Sequence, residues 1–505
     1  MASAPWSRPA AAATLAVSAK AFAVEMGSRW SQAGSSNKEG IGSMSTTQAN
    51  RQAQHRPRAQ RAATWLLITA AAMMLVPSSA VGAGGDVDPQ EPEDHGEQAA
   101  VGEQEEQPAD EQGFDPEVSF PGQYRINAYS VDNDREEEGR QTAARLRIRQ
   151  SIDIRFDERF KTHLQFQLNH TTDNQGLSDN SVKIRHAAIN YETRKGARFQ
   201  AGIVPLGDRF GDTQFSSDWD YNPLALEILW PTGPGSFRFF GGNLDEGSEF
   251  APEDDIVHWQ GEYEWPLDSS SWLVFSGTWI ELPDAEGERQ SYGGLGVSGK
   301  WSLSESWSLR SFLAASTLDG TVLGLEEDAN GVGAKVEMVG SLGRNELGFQ
   351  ATWAQGGEQG DGFLPIMSLI GFNGYWGYTG ILTVQGPTDT GFDGDSVNFS
   401  NNGYGLASAQ VRWTAPLAER FNLWLAAGWF GGSQAENRSG TVGIDGLLMG
   451  TIQLHKFLVL DLGFAMARLE DSVSGYFQGA GGEFNQLEGV GRDKMALFAR
   501  LQAEF

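Results

Sequence analysis

The chain has 505 residues, no Cys, and a formal net charge of -29 at pH 7. Without Cys, neither a disulfide scaffold nor a thiolate metal site is possible, and so acidic a chain is unsuited to nucleic acid, whose phosphates need a basic surface. Gly reaches 63 residues and Trp 16, while apolar residues are only 40%; that is poor for helical bundles and ordinary for amphipathic strands with Gly-rich ends.

In chain order, residues 1–60 come first as a Ser-, Ala- and Gln-rich extension without periodicity. A start at Met44 would put the charged region at a normal distance from the N-terminus, so an over-long translation start is expected. Residues 61–83 have the layout of a secretory signal peptide: Arg51, Arg56, Arg58 and Arg61 before an apolar run from Ala63 to Val76, then small residues allowing cleavage after Ala80 or Ala83. That run is short of the roughly 20 residues a spanning helix needs. Residues 84–118 form the next segment, an acidic linker. Between Asp86 and Glu117 lie 13 acidic residues and no Lys or Arg, a tract that repels itself and cannot bury a core. No later stretch suits a membrane helix, so any span must be made of strands.

From 119 to 505 the dominant pattern has a period of two. Ala144, Leu146, Ile148, Ile152, Ile154 and Phe156 share one face, and Arg145, Arg147, Arg149, Ser151, Asp153 and Arg155 the other. After a tight turn at Asp157 and Glu158, Phe160, Leu164, Phe166 and Leu168 repeat the pattern opposite Lys161, His163, Gln165 and Gln167. Connections then alternate short and long, the long ones rich in acid, Gly and Asn, as at the two ends of a membrane barrel. Counting between them predicts 18 antiparallel strands, or 16 if residues 224–245 are irregular. Trp265 and Trp272, Trp301 and Trp307, Trp413 and Phe421, and Phe156 and Phe160 flank four of the short turns, where amphipathic rings meet headgroups. One register is open: Val182 and Ile184 alternate with Lys183 and Arg185, yet Ala187, Ile189 and Tyr191 carry the apolar face onward. A bulge there would shift the phase.

The final segment, KMALFARLQAEF, alternates throughout and ends on Phe505. It resembles the closing strand of bacterial outer-membrane barrels. The segment GDRFGDTQFSSDWDYNP, after the fifth strand, is similar in position to the loop that folds into the lumen of the general bacterial porins, where its carboxylates face arginines on early strands. RFQAGIVPLGDRF resembles the strand-to-loop passage of the phosphate-selective porins. The resemblance implies an all-β transmembrane barrel in the bacterial outer membrane, touching lipid and lipopolysaccharide, with a homotrimer as the assembly the likeness suggests. Such a barrel passes small polar or anionic solutes passively, with no enzymatic activity, metal or cofactor. Arg125, Arg145, Arg147, Arg149, Arg155, Lys161 and Arg198 are expected to line the pore, facing Asp208, Asp212, Asp218 and Asp220 on the constriction loop, with Trp219 and Tyr221 as packing anchors. Two alternatives stand beside this expectation. One is a barrel resembling the alginate exporters, also Arg-lined; the other is a non-conducting structural barrel.

Other motifs carry less. GLGVSGKW (Gly294–Trp301) matches G-x-G-x-x-G but is itself strand-like, whereas phosphate binding needs a helix after the glycines. His163 and His170 fall on opposite strand faces, and no Ser, His and acid set suggests a triad. Asp389, Asp393 and Asp395 offer oxygens to calcium but lack the twelve-residue loop pattern. Phe363, Phe372, Tyr375 and Trp376 suggest that the 355–403 segment packs on itself as a lid or a second hairpin.

Overall fold

The computed structural model describes residues 116–132, 140–173, 178–219, 221–245, 255–283, 289–319, 328–357, 360–370, 376–383, 397–433, 440–469 and 493–505. The chain divides into two units, Met1–Asp88 and Pro89–Phe505, and every described residue belongs to the second. The N-terminal extension, the expected signal peptide, nearly all of the acidic tract, Asp220, Phe372, Tyr375 and the triplet Asp389, Asp393 and Asp395 lie outside the described residues.

The alternating segments form strands. A short β1 (Glu117–Ser119) precedes β2 (Gly122–Asp132), β3 (Arg140–Arg155), β4 (Phe160–Asp173), β5 (Ser178–Glu192) and the six-residue β6 (Arg198–Ile203). After an inward excursion come β7 (Leu224–Thr232), β8 (Gly235–Asp245), β9 (Ile256–Pro266), β10 (Trp272–Pro283), β11 (Arg289–Ser302), β12 (Trp307–Asp319), β13 (Ala329–Leu342) and β14 (Asn345–Ala354). A long connection leads to β15 (Leu406–Ala418), β16 (Phe421–Gly432), β17 (Gly440–His455), β18 (Leu458–Leu469) and β19 (Asp493–Glu504).

Each strand from β2 onward pairs antiparallel with the next, and β19 returns to pair with β2 from Met495↔Asp132 to Glu504↔Gln123. The result is a closed antiparallel barrel of 18 strands, in which closure removes the unpaired edges an open sheet would expose. β1 continues the β2 edge alongside β3, with Glu117 opposite Arg155. Residues 224–245 are regular strand, so the 16-strand alternative falls. The Gly-rich GLGVSGKW lies within β11, paired on both sides, and forms no phosphate loop.

The two faces have opposite chemistry. On β19, Leu497 is 51% exposed on the outside while Lys494, of opposite parity, is 1% exposed within. The same outward apolar set recurs around the barrel at Ile126, Leu168, Leu295, Leu313, Leu425 and Leu448. Facing water, such a band would cost about 25 cal/mol per Å² of apolar surface, so it suits hydrocarbon.

Local chemistry sets the turns and the ends. Asp157 accepts from the N–H groups of Arg159 (2.7 Å) and Phe160 (2.6 Å), and Asp268 from those of Ser270 (2.7 Å) and Ser271 (2.8 Å). These bonds to the charged form hold both carboxyls low, Asp268 at about 2. Phe156 and Phe160 stack across their turn at 4.9 Å. Trp307 lies flat over its cross-strand partner Gly340, and a Cβ on that glycine would collide with the indole. Opposite Gln165 and Phe166 a bulge decides the register left open by the sequence: Phe166 faces Ile184 and Gln165 faces His186, with Arg185 the extra residue. Val182 and Ile184 therefore face out while Lys183, Arg185 and His186 belong to the inner face.

Phe505 completes the seam. Its N–H donates to Gly122 O (3.1 Å), its carbonyl accepts from Gly122 N–H (2.9 Å), and its ring stacks on Tyr124 at 5.5 Å. Phe505→Ala should cost about 1 kcal/mol, the worth of an aromatic pair, read as a lower urea midpoint for the barrel in lipid vesicles; an unchanged midpoint would mean the seam does not need the ring.

Candidate pore constriction

The inner face of β2–β5 is a basic wall. Register sets Arg125 beside Arg147, and Arg145 and Arg149 stand one step above and below it on β3. Same-face neighbours on a strand lie roughly 7 Å apart, so the guanidinium groups form a ladder. Gln and aromatic partners hold each one: Arg125 Nε donates to Gln502 Oε1 (2.6 Å), Arg147 Nη2 to Gln123 Oε1 (3.1 Å) and Arg149 Nε to Gln167 Oε1 (2.6 Å). Arg145 lies over the Tyr129 ring at 5.7 Å. Nearer the short turns, Arg155 pairs with Glu117 at 3.4 Å, while Lys161 and Arg198 sit exposed opposite Arg155 and Glu192.

The connection from Ile203 to Leu224 leaves the wall and folds inward. Its short turn Ser217–Trp219 reaches the basic wall, where Asp218 Oδ1 lies 3.3 Å from Arg149 Nη1 and 3.7 Å from Arg185 Nη2. Arg185 also donates to Gln165 Oε1 (2.7 Å) and to the Ser217 carbonyl. Arg185 was absent from the expected lining because its bulged position reverses the face that simple alternation assigns. Beside it, His163 bridges Asp153 (2.5 Å) and His186 (3.1 Å), and His186 reaches Asn222 of the loop (3.1 Å).

Of the four expected loop carboxylates, only Asp218 meets the ladder among the described residues. Asp208 turns back into its own loop and accepts from the N–H groups of Phe210 (2.8 Å), Asp212 (2.8 Å), Gln214 and Phe215 (3.1 Å). Asp212 sits exposed at a positive φ of 57°, at the tip of that turn. Tyr221 is buried against Phe215 (4.8 Å) and bonded to His258. For Trp219 only the backbone is described.

The far side of the same loop is clamped to β7–β9. Arg238 pairs with Glu227 (2.5 Å) and Glu262 (3.2 Å) and donates to the Gly207 carbonyl (2.9 Å), while Arg209 of the loop reaches Glu264 at 3.5 Å. The loop is thus a strut between a basic and a mixed wall. This second anchor was missed, although Glu227, Arg238, Glu262 and Glu264 all occupy inward positions of alternating strands.

The connection from β14 to β15 also folds inward and packs by its own side chains. Phe363, Trp376 and Phe399 are buried together, with Phe399 edge-on to Phe363 at 5.9 Å and to Trp376 at 6.2 Å. Polar groups of the wall tie it down: Glu337 accepts from Tyr378 Oη (2.5 Å), Gln410 from Tyr378 N–H (2.7 Å), and Asp445 from the N–H groups of Ile381 (3.0 Å) and Leu382 (2.7 Å). A Cβ on Gly331 would strike the Phe363 backbone, so glycine at that site lets the loop lie against β13. The two loops also meet, with Met367 N–H donating to Gln214 O (2.8 Å) and Ile366 N–H to Gln214 Oε1 (3.2 Å).

No protein-family profile matches this chain, and no curated protein does. Solved structures similar to it include three from Pseudomonas aeruginosa. OccK5 (OpdH) is 10% identical with a TM-score of 0.48, the match covering 76% of this chain and 98% of that one. The outer membrane protein OprD is 12% identical with a TM-score of 0.47, covering 78% and 95%. OpdK with vanillate is 10% identical with a TM-score of 0.46, covering 76% and 98%. At such identities and scores the likenesses carry nothing about activity, and the barrel stands on its own strand register.

Two outcomes test the constriction. Burial, and then the neighbouring Asp212, push Asp208 up from 3.8 to about 7, while the N–H groups of Gln214, Phe210 and Phe215 hold it down. Folding the loop therefore takes up a proton, and the stability this gives is full below about 4 and lost as pH rises to about 7. Proteolytic nicking within residues 204–223 should be slower at pH 5 than at pH 8, and Asp208→Asn should flatten the difference; equal rates in the parent would contradict it. Gly331→Leu should overpack the second loop and lower stability by about 1–3 kcal/mol in urea titrations, whereas no loss would mean Phe363 does not lie against β13.

Proposed function

We propose that this barrel is a bacterial outer-membrane channel that passes small polar or anionic solutes passively along the arginine wall of β2–β5. The observation that supports it most is the contact of Asp218, on an inward-folded loop, with Arg149 and Arg185 of a wall that continues through Arg147, Arg125 and Arg145. A charged wall opposed by carboxylates sets up a transverse field, which orients polar solutes and sorts them by charge and size. Arg155, Lys161 and Arg198, at the short-turn mouth, would draw anions in from that side. The expected signal peptide, the apolar outer band and the aromatic residues at the short turns all fit this location.

A second reading, a non-conducting structural barrel, is favoured by one observation: the buried Phe363, Trp376 and Phe399 cluster fills part of the lumen. An exporter of acidic polysaccharide would instead show strong anion preference. Planar-bilayer recording separates the three. The parent should give single-channel current, and replacing Arg145, Arg147 and Arg149 together by Gln should move the reversal potential in a salt gradient toward cation preference. No current at all would select the structural barrel, and an unmoved potential would leave the ladder as mere lining.

A further inference from the structure

The rim of short turns is unevenly charged. The turns at 267–271 and 303–306 carry Asp268 and Glu305 and no Lys or Arg, whereas the sector from β3 to β6 gathers Arg155, Arg159, Lys161, Arg194, Lys195 and Arg198, all of them exposed. Its carboxylates are fewer, Asp157, Glu158 and Glu192, and Asp157 is already held by the N–H groups of its own turn. Arg155 pairs with Glu117; the other five cations make no ion pair among the described residues. Register adds to the imbalance, since Lys161 lies directly opposite Arg155, and like charges in that position repel.

The chain itself brings an acidic segment to this sector. β1 runs antiparallel to β3, with Glu117 opposite Arg155 and Ser119 opposite Asp153, so the residues before Glu117 come from the short-turn side, past the end of β3. The junction is tied to the wall: Ser151 N–H donates to Pro121 O (2.9 Å), and Gln150 Nε2 to the carbonyls of Phe120 (3.2 Å) and Pro121 (3.2 Å). Upstream of it lies Pro89–Asp115. Of the 13 acidic residues from Asp86 to Glu117, all but Asp86, Asp88 and Glu117 fall in that segment, with no Lys or Arg among them. A flexible chain of roughly 25 residues reaches roughly 30 Å, while β3 to β6 spans three strand spacings, about 15 Å.

We propose that the acidic tract Pro89–Asp115 docks on the basic rim of β3–β6, continuing the contact that Glu117 makes with Arg155. Each exposed pair is weak on its own, but the tether at β1 holds the tract beside several cations at once, which raises its local concentration to roughly the millimolar range. The attraction acts over the Debye length, ~8 Å at physiological salt, so added salt undoes the docking. Arg155, Lys161 and Arg198 also line the short-turn mouth, and a tract lying on them competes there with entering anions. Docking rests on the barrel and its register alone; only this effect on entry rests on the channel reading above.

Carbodiimide cross-linking of the full chain in a mild non-ionic detergent, read by peptide mass spectrometry, tests it by joining carboxylates to lysine amines in direct contact. At low salt, Lys161 and Lys195 should link to carboxylates of Pro89–Asp115, and ~1 M salt, where the Debye length is ~3 Å, should remove the links. Arg159→Glu together with Arg194→Glu, which keeps both lysines, should cut the yield several-fold. Lys456, exposed at the turn between β17 and β18, should link rarely; equal linking there would mean that the tract sweeps the whole rim, against the proposal. Links that survive the double substitution or ~1 M salt would also overturn it, and links seen in detergent but lost in phosphatidylglycerol vesicles would assign the patch to lipid instead. A barrel that folds, as read by its far-ultraviolet circular dichroism, yet gives no such links overturns the docking and leaves the channel reading to the bilayer recording.

Discussion

Satisfying every backbone N–H and C=O inside hydrocarbon is the constraint on which this structure depends. A single strand cannot meet it, and an open sheet leaves two edges unmet, so strands in a bilayer must close on themselves. Here the closure is carried by the β19–β2 ladder and the reciprocal bonds between Gly122 and Phe505. Once the backbone is fixed in this way, the side chains have only two destinations, and a period of two sends Leu and Ile outward and Arg, Gln and Asp inward.

Closure also sets up a second problem, that of filling an 18-strand lumen. Among the described residues, two connections turn back inside. One is polar, a strut with Asp218 at the arginine wall and Arg209 at the glutamate wall. The other is largely apolar, with Phe363, Trp376 and Phe399 seated where Gly331 and Gly333 leave room. Because these loops meet at Gln214, displacing either one disturbs both. The strut has a further cost, since the chain that forms it is withdrawn from the wall and β6 ends early.

Much of the barrel was legible in the sequence because period-two alternation is a local property. The hairpin from Ala144 to Leu168 and the strand count of 18 come from which residues sit two apart; near Arg185 the break in that rhythm was legible, but the bulge that resolves it came from the strand pairing. The constriction was less legible. That Asp218 meets Arg149 is a consequence of a loop turning inward, but Asp208 and Asp212 look equivalent to Asp218 as residue types. Backbone geometry separates them: the N–H groups of Phe210, Asp212, Gln214 and Phe215 converge on Asp208. The partnership of Arg238 with Glu227 and Glu262 depends on the register between strands, which alternation alone does not fix.

The division of faces can be tested directly, and a chain without Cys permits it cleanly. Single cysteines at Leu146, Ile148, Arg145 and Arg147, each carrying a fluorophore in the vesicle-inserted barrel, can be exposed in turn to a lipid-dissolved and a water-dissolved quencher. Labels at 146 and 148 should respond to the first and labels at 145 and 147 to the second. Uniform quenching along the strand, or the reverse alternation, would contradict a barrel with lipid outside and a charged aqueous path within.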